Sequence, residues 1–431
     1  MDQLDEDFVF INHEDATEIM PAEAEHLREI SNFVNSISNE LWRVNKTIHD
    51  NPETGYKEFI AHETLTKFMS SQCGWKVIPS AYGLATAWVA VFDSGKKGPV
   101  VSFNVEMDAL EEIGHACGHN LIATASVAAG LATSEIMRKH QLGGKVVLFG
   151  TPAEEGGGGK IKLLKAGAYK DYKVDINLLS HPGITANTAL MHTSAYTAFK
   201  AEYFGREAHA AANPWLGINA LDALVTAYNA ISVLRQQTMP GDVIQGNITD
   251  GGLRPNVIHA YTAGGFVVRA PSRTRVDELK KKVDACFEAG ALATGAKLEM
   301  TFVQSYADHV PNRVLGQQYR QHFNQLCPTE LIPENPDIDE TAGRTMASTD
   351  QGDISYAMPS LNVGFRIPAG PGGAGPHNPG FAEAAGTRIA FENCLRVGKA
   401  MAAVGVDVLR DADLLERVKR QWREDMKLTS E

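Results

Sequence analysis

Cysteine is scarce in this 431-residue chain. Its five residues, Cys73, Cys117, Cys286, Cys327 and Cys394, are scattered and odd in number. That excludes a disulfide framework as the main staple and favours a reducing, cytoplasmic setting. Excess positive charge is also missing. Forty Lys and Arg face 52 Asp and Glu, a formal charge of -12, which argues against a nucleic-acid partner. A membrane-spanning run is lacking too. The longest mildly apolar stretch, residues 121–137, is broken by Thr124, Ser126, Thr133, Ser134 and Glu135. It reads as a buried helix, so no membrane partner is expected. The acidic start carries neither a basic leader nor an apolar signal core, and residues 1–20 read as a mobile tail.

What is present is ordinary globular material, 44% hydrophobic and 21% charged, long enough for more than one domain. From Pro21 to about His49, apolar residues from Leu27 to Val44 recur at helical spacing until Asn51-Pro52 stops the helix. Short apolar runs at 87–92, 100–105, 146–149 and 176–179 follow, with helical stretches at about 120–140 and 159–167 between them. Alternating strands and helices imply an α/β fold with a mostly parallel sheet flanked by helices, whose ligands sit beyond the carboxyl ends of the strands. Three of these runs end in metal-capable residues. Between about 193 and 306 the order changes to β-α-β-β-α-β, the pattern of a small ferredoxin-like α+β sandwich. The chain therefore divides into a catalytic domain at 21–192 and 307–431, with an inserted domain at 193–306.

The densest chemistry is His115-Ala116-Cys117-Gly118-His119, just ahead of the small-residue helix. A thiolate and an imidazole two residues apart face one metal from a turn, and a helix N-terminus favours ionised sulfur. A buried cysteine beside a surface histidine accounts for so short a motif equally well. Glu154-Glu155 follow a strand and precede Gly156 to Gly159. Adjacent carboxylates on a loop can point apart, one to a metal and one to a water that the metal acidifies; taken alone, a solvated acidic turn is the simpler account. The glycines do not make a phosphate loop, because Ile161 stands where Ser or Thr would coordinate magnesium. His181 closes the next strand and His377 lies between Pro376 and Asn378. Singly, each histidine reads as structural. As a set, Cys117, His119, Glu155, His181 and His377 are five metal-capable residues following strands or flanking helices, a pattern chance supplies poorly.

Together these segments resemble the dinuclear metallopeptidases that include aminoacylases, hippurate hydrolases and carboxypeptidases, the M-twenty peptidases. The resemblance runs from about Ile30 to Met401. It includes the segment from His49 to Glu58, Glu106-Met107-Asp108-Ala109-Leu110, Ser180-His181-Pro182-Gly183, Gly205-Arg206-Glu207-Ala208-His209-Ala210 and Gly251-Gly252-Leu253-Arg254-Pro255-Asn256. Ala347-Ser348-Thr349-Asp350-Gln351-Gly352-Asp353 and the His377 region complete it. Glu106 and the run from Gly114 to Ala123 are most similar to the branch of aminobenzoyl-glutamate hydrolases and β-alanyl-lysine-type dipeptidases. Glu111 departs from the family pattern, standing where proline is usual.

The resemblance implies two divalent metal ions, with Cys117 at or between them and His119, Glu155, His181 and His377 completing their shells. Cysteine and histidine donors favour zinc, with manganese, cobalt or nickel as alternatives. It further implies Glu154 as general base and then acid, and Asp108 as a carboxylate that orients a ligand. The inserted domain becomes a dimerisation lid whose His209 enters the partner subunit's site to stabilise an oxyanion. Asn256 and Arg269 become the grip on a substrate carboxylate. The expected activity is hydrolysis of an N-acyl amino acid or dipeptide with a free carboxylate, by a homodimer. Two rivals remain at this point: the same site run toward amide formation, and a non-catalytic dimeric binding protein.

Overall fold

The computed structural model describes residues 22–429, so the tail expected at 1–20 lies outside the described residues. The expected first helix is two, Ala22–Ser36 and Ser38–Asp50, with Ile37 between them at non-helical φ/ψ. The second ends at Asn51, before Pro52.

Two sheets organise the described residues. The larger contains β1 (Trp75–Pro79), β2 (Trp88–Asp93), β3 (Val100–Glu106), β4 (Lys145–Thr151) and β5 (Ile176–Gly183). The smaller contains β6 (Ala195–Phe204), β7 (Val243–Asp250), β8 (Tyr261–Ala270) and β9 (Lys297–Tyr306), after which β10 (Ser360–Arg366) returns to the larger. The larger runs β1-β2-β4-β3-β5-β10. Its β4-β3-β5-β10 portion is parallel, and β1 and β2 add an antiparallel edge. Every residue of β3 is buried, as expected of a central parallel strand covered on both faces.

Periodicity places the strands within a few residues but undersizes them, because polar ends such as Glu106 and Thr151 still pair in the ladder. It gives no sign of β1, where only Trp75 is buried, as befits a strand at the sheet's edge and not a continuous apolar run.

The His119–His140 helix packs between the sheet and the Arg388–Arg410 helix, buried along almost its whole length. Its Ala, Ser, Thr and Gly side chains permit that, because small residues let neighbouring backbones approach on every side. This packing brings the helix N-terminus to the sheet edge where β3, β4 and β5 end.

The smaller sheet runs β7-β8-β6-β9, antiparallel throughout. Helices Ala220–Leu234 and Arg273–Thr294 cover one face, around a core that includes Phe199, Phe266 and Phe287. Asn219 and Ser272 cap these helices with their side chains. No described helix is long and apolar enough to cross a membrane.

Candidate metal centre

Three adjacent parallel strands deliver the site. Beyond β3 lies Asp108, beyond β4 lie Glu154 and Glu155, and His181 lies near the carboxyl end of β5. The fourth contribution is the turn before the His119–His140 helix. Gly118 sits there at φ +78, and a Cβ on it would lie 2.5 Å from Pro182 Cγ. Only glycine meets both demands, so Cys117 and His119 face the same space from opposite sides of one turn.

Cys117 Sγ lies 3.3 Å from His181 Nε2, while His181 Nδ1 donates to the Pro182 carbonyl at 2.8 Å. That fixes the tautomer and leaves Nε2 as a donor to metal. Asp108 does the same for His119: its Oδ1 accepts from Nδ1 at 3.2 Å, and its Oδ2 accepts the Glu155 N–H at 3.0 Å. One carboxylate therefore orients two of the expected donors. His377, at φ +64, is held by its N–H donating to the Ala116 carbonyl at 2.8 Å. Its Nε2 lies 3.4 Å from Glu155 Oε2.

All five expected donors converge. Cys117, His119 and His181 form one triad whose donor atoms lie within 4.8 Å of one another, and Cys117, Glu155 and His377 form a second. Cys117 belongs to both. His119 Nε2 and Glu155 Oε1 are buried without hydrogen-bond partners, an uncommon condition for native polar atoms. Glu106, Asp108, Glu154 and Asp350 are all buried nearby, with Lys160 as the buried ammonium among them. Burial, then the Glu155 charge, pushes the Cys117 thiol up. Burial, then Glu106, pushes Glu154 up. So much collected negative charge in a dry pocket is costly unless cations balance it. The donor set fits a pair of thiolate- and imidazole-binding divalent ions.

The backbone turns sharply before Glu154 and Glu155, and one oxygen of each lies within 4.8 Å of the other and of a His119 ring nitrogen. Ala153 has φ +56, and its N–H donates to the buried Glu58 Oε1 at 2.9 Å. A Cβ on Gly55 would lie 2.8 Å from Ala153 Cβ, so the segment from His49 to Glu58 cradles this turn. The Glu154 carbonyl accepts the Tyr306 hydroxyl at 2.8 Å. Behind the site, Lys160 Nζ touches Asp350 at 2.5 Å and Glu106 at 2.6 Å. Burial alone would strip its proton, but those carboxylates hold it on. Glu106, Glu154 and Asp350 form a carboxylate cluster that the ammonium already serves.

Beside the donors opens a cavity of about 770 Å³, lined by Cys117, Glu154, His181, Tyr196, Arg269 and His377 among others. Arg269 lies over Tyr196, 4.9 Å from the ring centre, and donates to Ser348 Oγ at 2.8 Å. His209 and Asn256 are not among the cavity's lining residues in their own chain. His209 Nδ1 instead accepts the N–H groups of Ala211 and Ala212 at 3.2 and 3.1 Å.

Residues 100–391 match the model of peptidase family M20/M25/M40. The chain belongs to this family. It is 37% identical to the Xaa-Arg dipeptidase of Mus musculus, over 93% of this chain and 91% of that one. It is 28% identical to a p-aminobenzoyl-glutamate hydrolase polypeptide of Escherichia coli (strain K12), over 90% and 91%. Solved structures agree on the fold. A putative aminohydrolase from methicillin resistant Staphylococcus aureus superposes at TM-score 0.71, with 18% identity, covering 89% of this chain and 99% of that chain. The YXEP protein of Bacillus subtilis, a dinuclear metal binding peptidase from the M20 family, does so at 0.65, with 17% identity, covering 87% and 99%. Membership makes this M20 chain a metal-dependent amide and dipeptide hydrolase, as its motifs implied.

Sequence reasoning assigns no roles to Glu58, Lys160, Asp350 or Tyr306. Glu58 and Asp350 lie inside motifs already noted, but a buried backbone clamp or a buried ion pair leaves no spacing pattern of its own.

Proposed function

We propose that this M20 enzyme hydrolyses the amide bond of an N-acyl amino acid or dipeptide with a free carboxylate, using two divalent ions, zinc foremost. Cys117, His119, Glu155, His181 and His377 are assigned as their ligands. When bound, such ions supply an acidified water and a polarised amide carbonyl. Glu154 takes the water's proton and delivers it to the leaving amine; its carboxylate is buried and lies 3.8 Å from His119 Nε2. Asp108 holds His119 and the Glu155 backbone in register.

Arg269 is assigned to the substrate carboxylate, its planar fork suited to two oxygens, with Asn256 assisting. Tyr196 and Ser348 hold that guanidinium at the cavity wall. His209 is assigned to the partner subunit's site. Its Nδ1 accepts two backbone N–H groups, which places the proton on Nε2, the form that donates to an oxyanion. A homodimer through the inserted domain follows, and the exposed Val225, Tyr228 and Val233 on its first helix supply an apolar face for it.

The observation that carries this reading is Glu154, a buried carboxylate beside two donor triads that share Cys117. A hydrolysis screen tests it, using Xaa-Arg and β-alanyl dipeptides, aminobenzoyl-glutamate and simple N-acyl amino acids. Turnover that disappears with chelator and returns with zinc is expected. Hydrolysis indifferent to chelator, or no turnover on any of these substrates, would overturn it.

A further inference from the structure

A second group of metal donors lies where the first described helix meets the far end of the central one. On Ala22–Ser36, His26 and Glu29 stand three residues apart, so both side chains face the same neighbour. That neighbour is His140, the last residue of His119–His140. One donor atom from each lies within 4.8 Å of the others. Glu29 Oε2 is 2.7 Å from His140 Nε2 and 3.9 Å from His26 Nδ1. The two rings meet edge to face with centroids 4.5 Å apart.

The decisive atom is His26 Nδ1. His26 is 7% exposed, and its Nδ1 is buried with no hydrogen-bond partner. It points at a carboxylate oxygen that is too far away to bond. A ring nitrogen that has left water without gaining a protein partner invites a ligand between the two.

We propose that His26, Glu29 and His140 form a zinc-type divalent cation site that fastens the first described helix to the central helix. Two imidazoles and one carboxylate make a three-ligand zinc set with a fourth position for water. Donors at these separations close on an ion at bond lengths of about 2 Å through side-chain rotation. The helix C-terminus that carries His140 adds partial negative charge.

Two cations oppose the site. Lys139 Nζ holds Glu29 Oε1 at 2.5 Å, which leaves Oε2 for the ion, and Arg410 adds unfavourable charge. This site is accordingly weaker than the catalytic pair.

The test uses untagged, full-length protein equilibrated with zinc at neutral pH, followed by metal analysis. The double variant His26→Ala/His140→Ala should hold one zinc fewer than wild type, with hydrolytic activity unchanged. Cys117→Ala/His181→Ala should lose catalytic zinc but keep this ion, which separates the two sites' fates. Lys139→Met removes the competing ammonium, so zinc should raise its thermal midpoint more than it raises that of wild type. Equal zinc content in wild type and the His26/His140 variant overturns the proposal. So does a Lys139→Met protein whose zinc response matches wild type.

Discussion

Replacing Glu58 by alanine is expected to loosen the turn that aims Glu154. Glu58 is fully buried; Oε1 accepts the Ala153 N–H at 2.9 Å and Oε2 accepts the Thr86 hydroxyl at 2.7 Å. Ala153 is held at φ +56 directly before Glu154, a left-handed conformation costing a non-glycine residue about 1–2 kcal/mol. Such strain persists only where surroundings over-determine it. Removing the carboxylate leaves two buried groups unpaired, each at about 1–3 kcal/mol. Glu58→Ala should therefore lose about 2–6 kcal/mol of stability, measured by urea unfolding. Glu154 would shift with its backbone, and a displacement of about 1 Å in catalytic geometry costs roughly 100-fold in rate. Steady-state kinetics should show that loss in kcat with KM little changed, because Arg269 is held by other residues. Glu58→Gln retains an acceptor for Ala153 and should stay near wild type. Wild-type kcat in Glu58→Ala, or a glutamine variant as impaired as alanine, would refute the reasoning.

Glu154→Gln should lower kcat by about 100- to 10,000-fold, the usual span for a general base, with metal content by elemental analysis unchanged. Arg269→Met should reduce kcat/KM by about 10- to 100-fold for substrates with a free carboxylate, the scale of a lost charge-assisted hydrogen bond. Amidated analogues should be little affected. Stability should depend on pH through His309, whose burial pushes its pKa down from 6.5 to about 4. The unfolded chain protonates this ring first. Stability is therefore retained above pH 6.5 and lost as pH falls toward 4, by at most about 3 kcal/mol. His309→Gln should flatten this part of the urea-midpoint profile, and an unchanged slope would contradict the assignment.

The centre of the fold was legible in sequence because its physics is local and repetitive. Apolar runs that stop at Glu106, Thr151 and His181 are strands whose carboxyl ends meet, and the small-residue stretch after Gly118 is a helix that only small side chains allow. The break at Ile37 and the edge strand Trp75–Pro79 carry no such periodic signature. At the site, Cys117, His119 and Glu155 were visible as chemistry. The Glu58 clamp on Ala153 spans 95 residues of chain, and the Lys160–Asp350 pair spans 190. Contacts so distant in sequence depend on tertiary packing and leave no local pattern to read.

Anomalous diffraction from zinc-loaded crystals addresses the metal centre most directly. Two peaks are expected among Cys117, His119, Glu155, His181 and His377, within reach of the Glu154 carboxylate. A single peak there, or none, would contradict a paired-cation hydrolase.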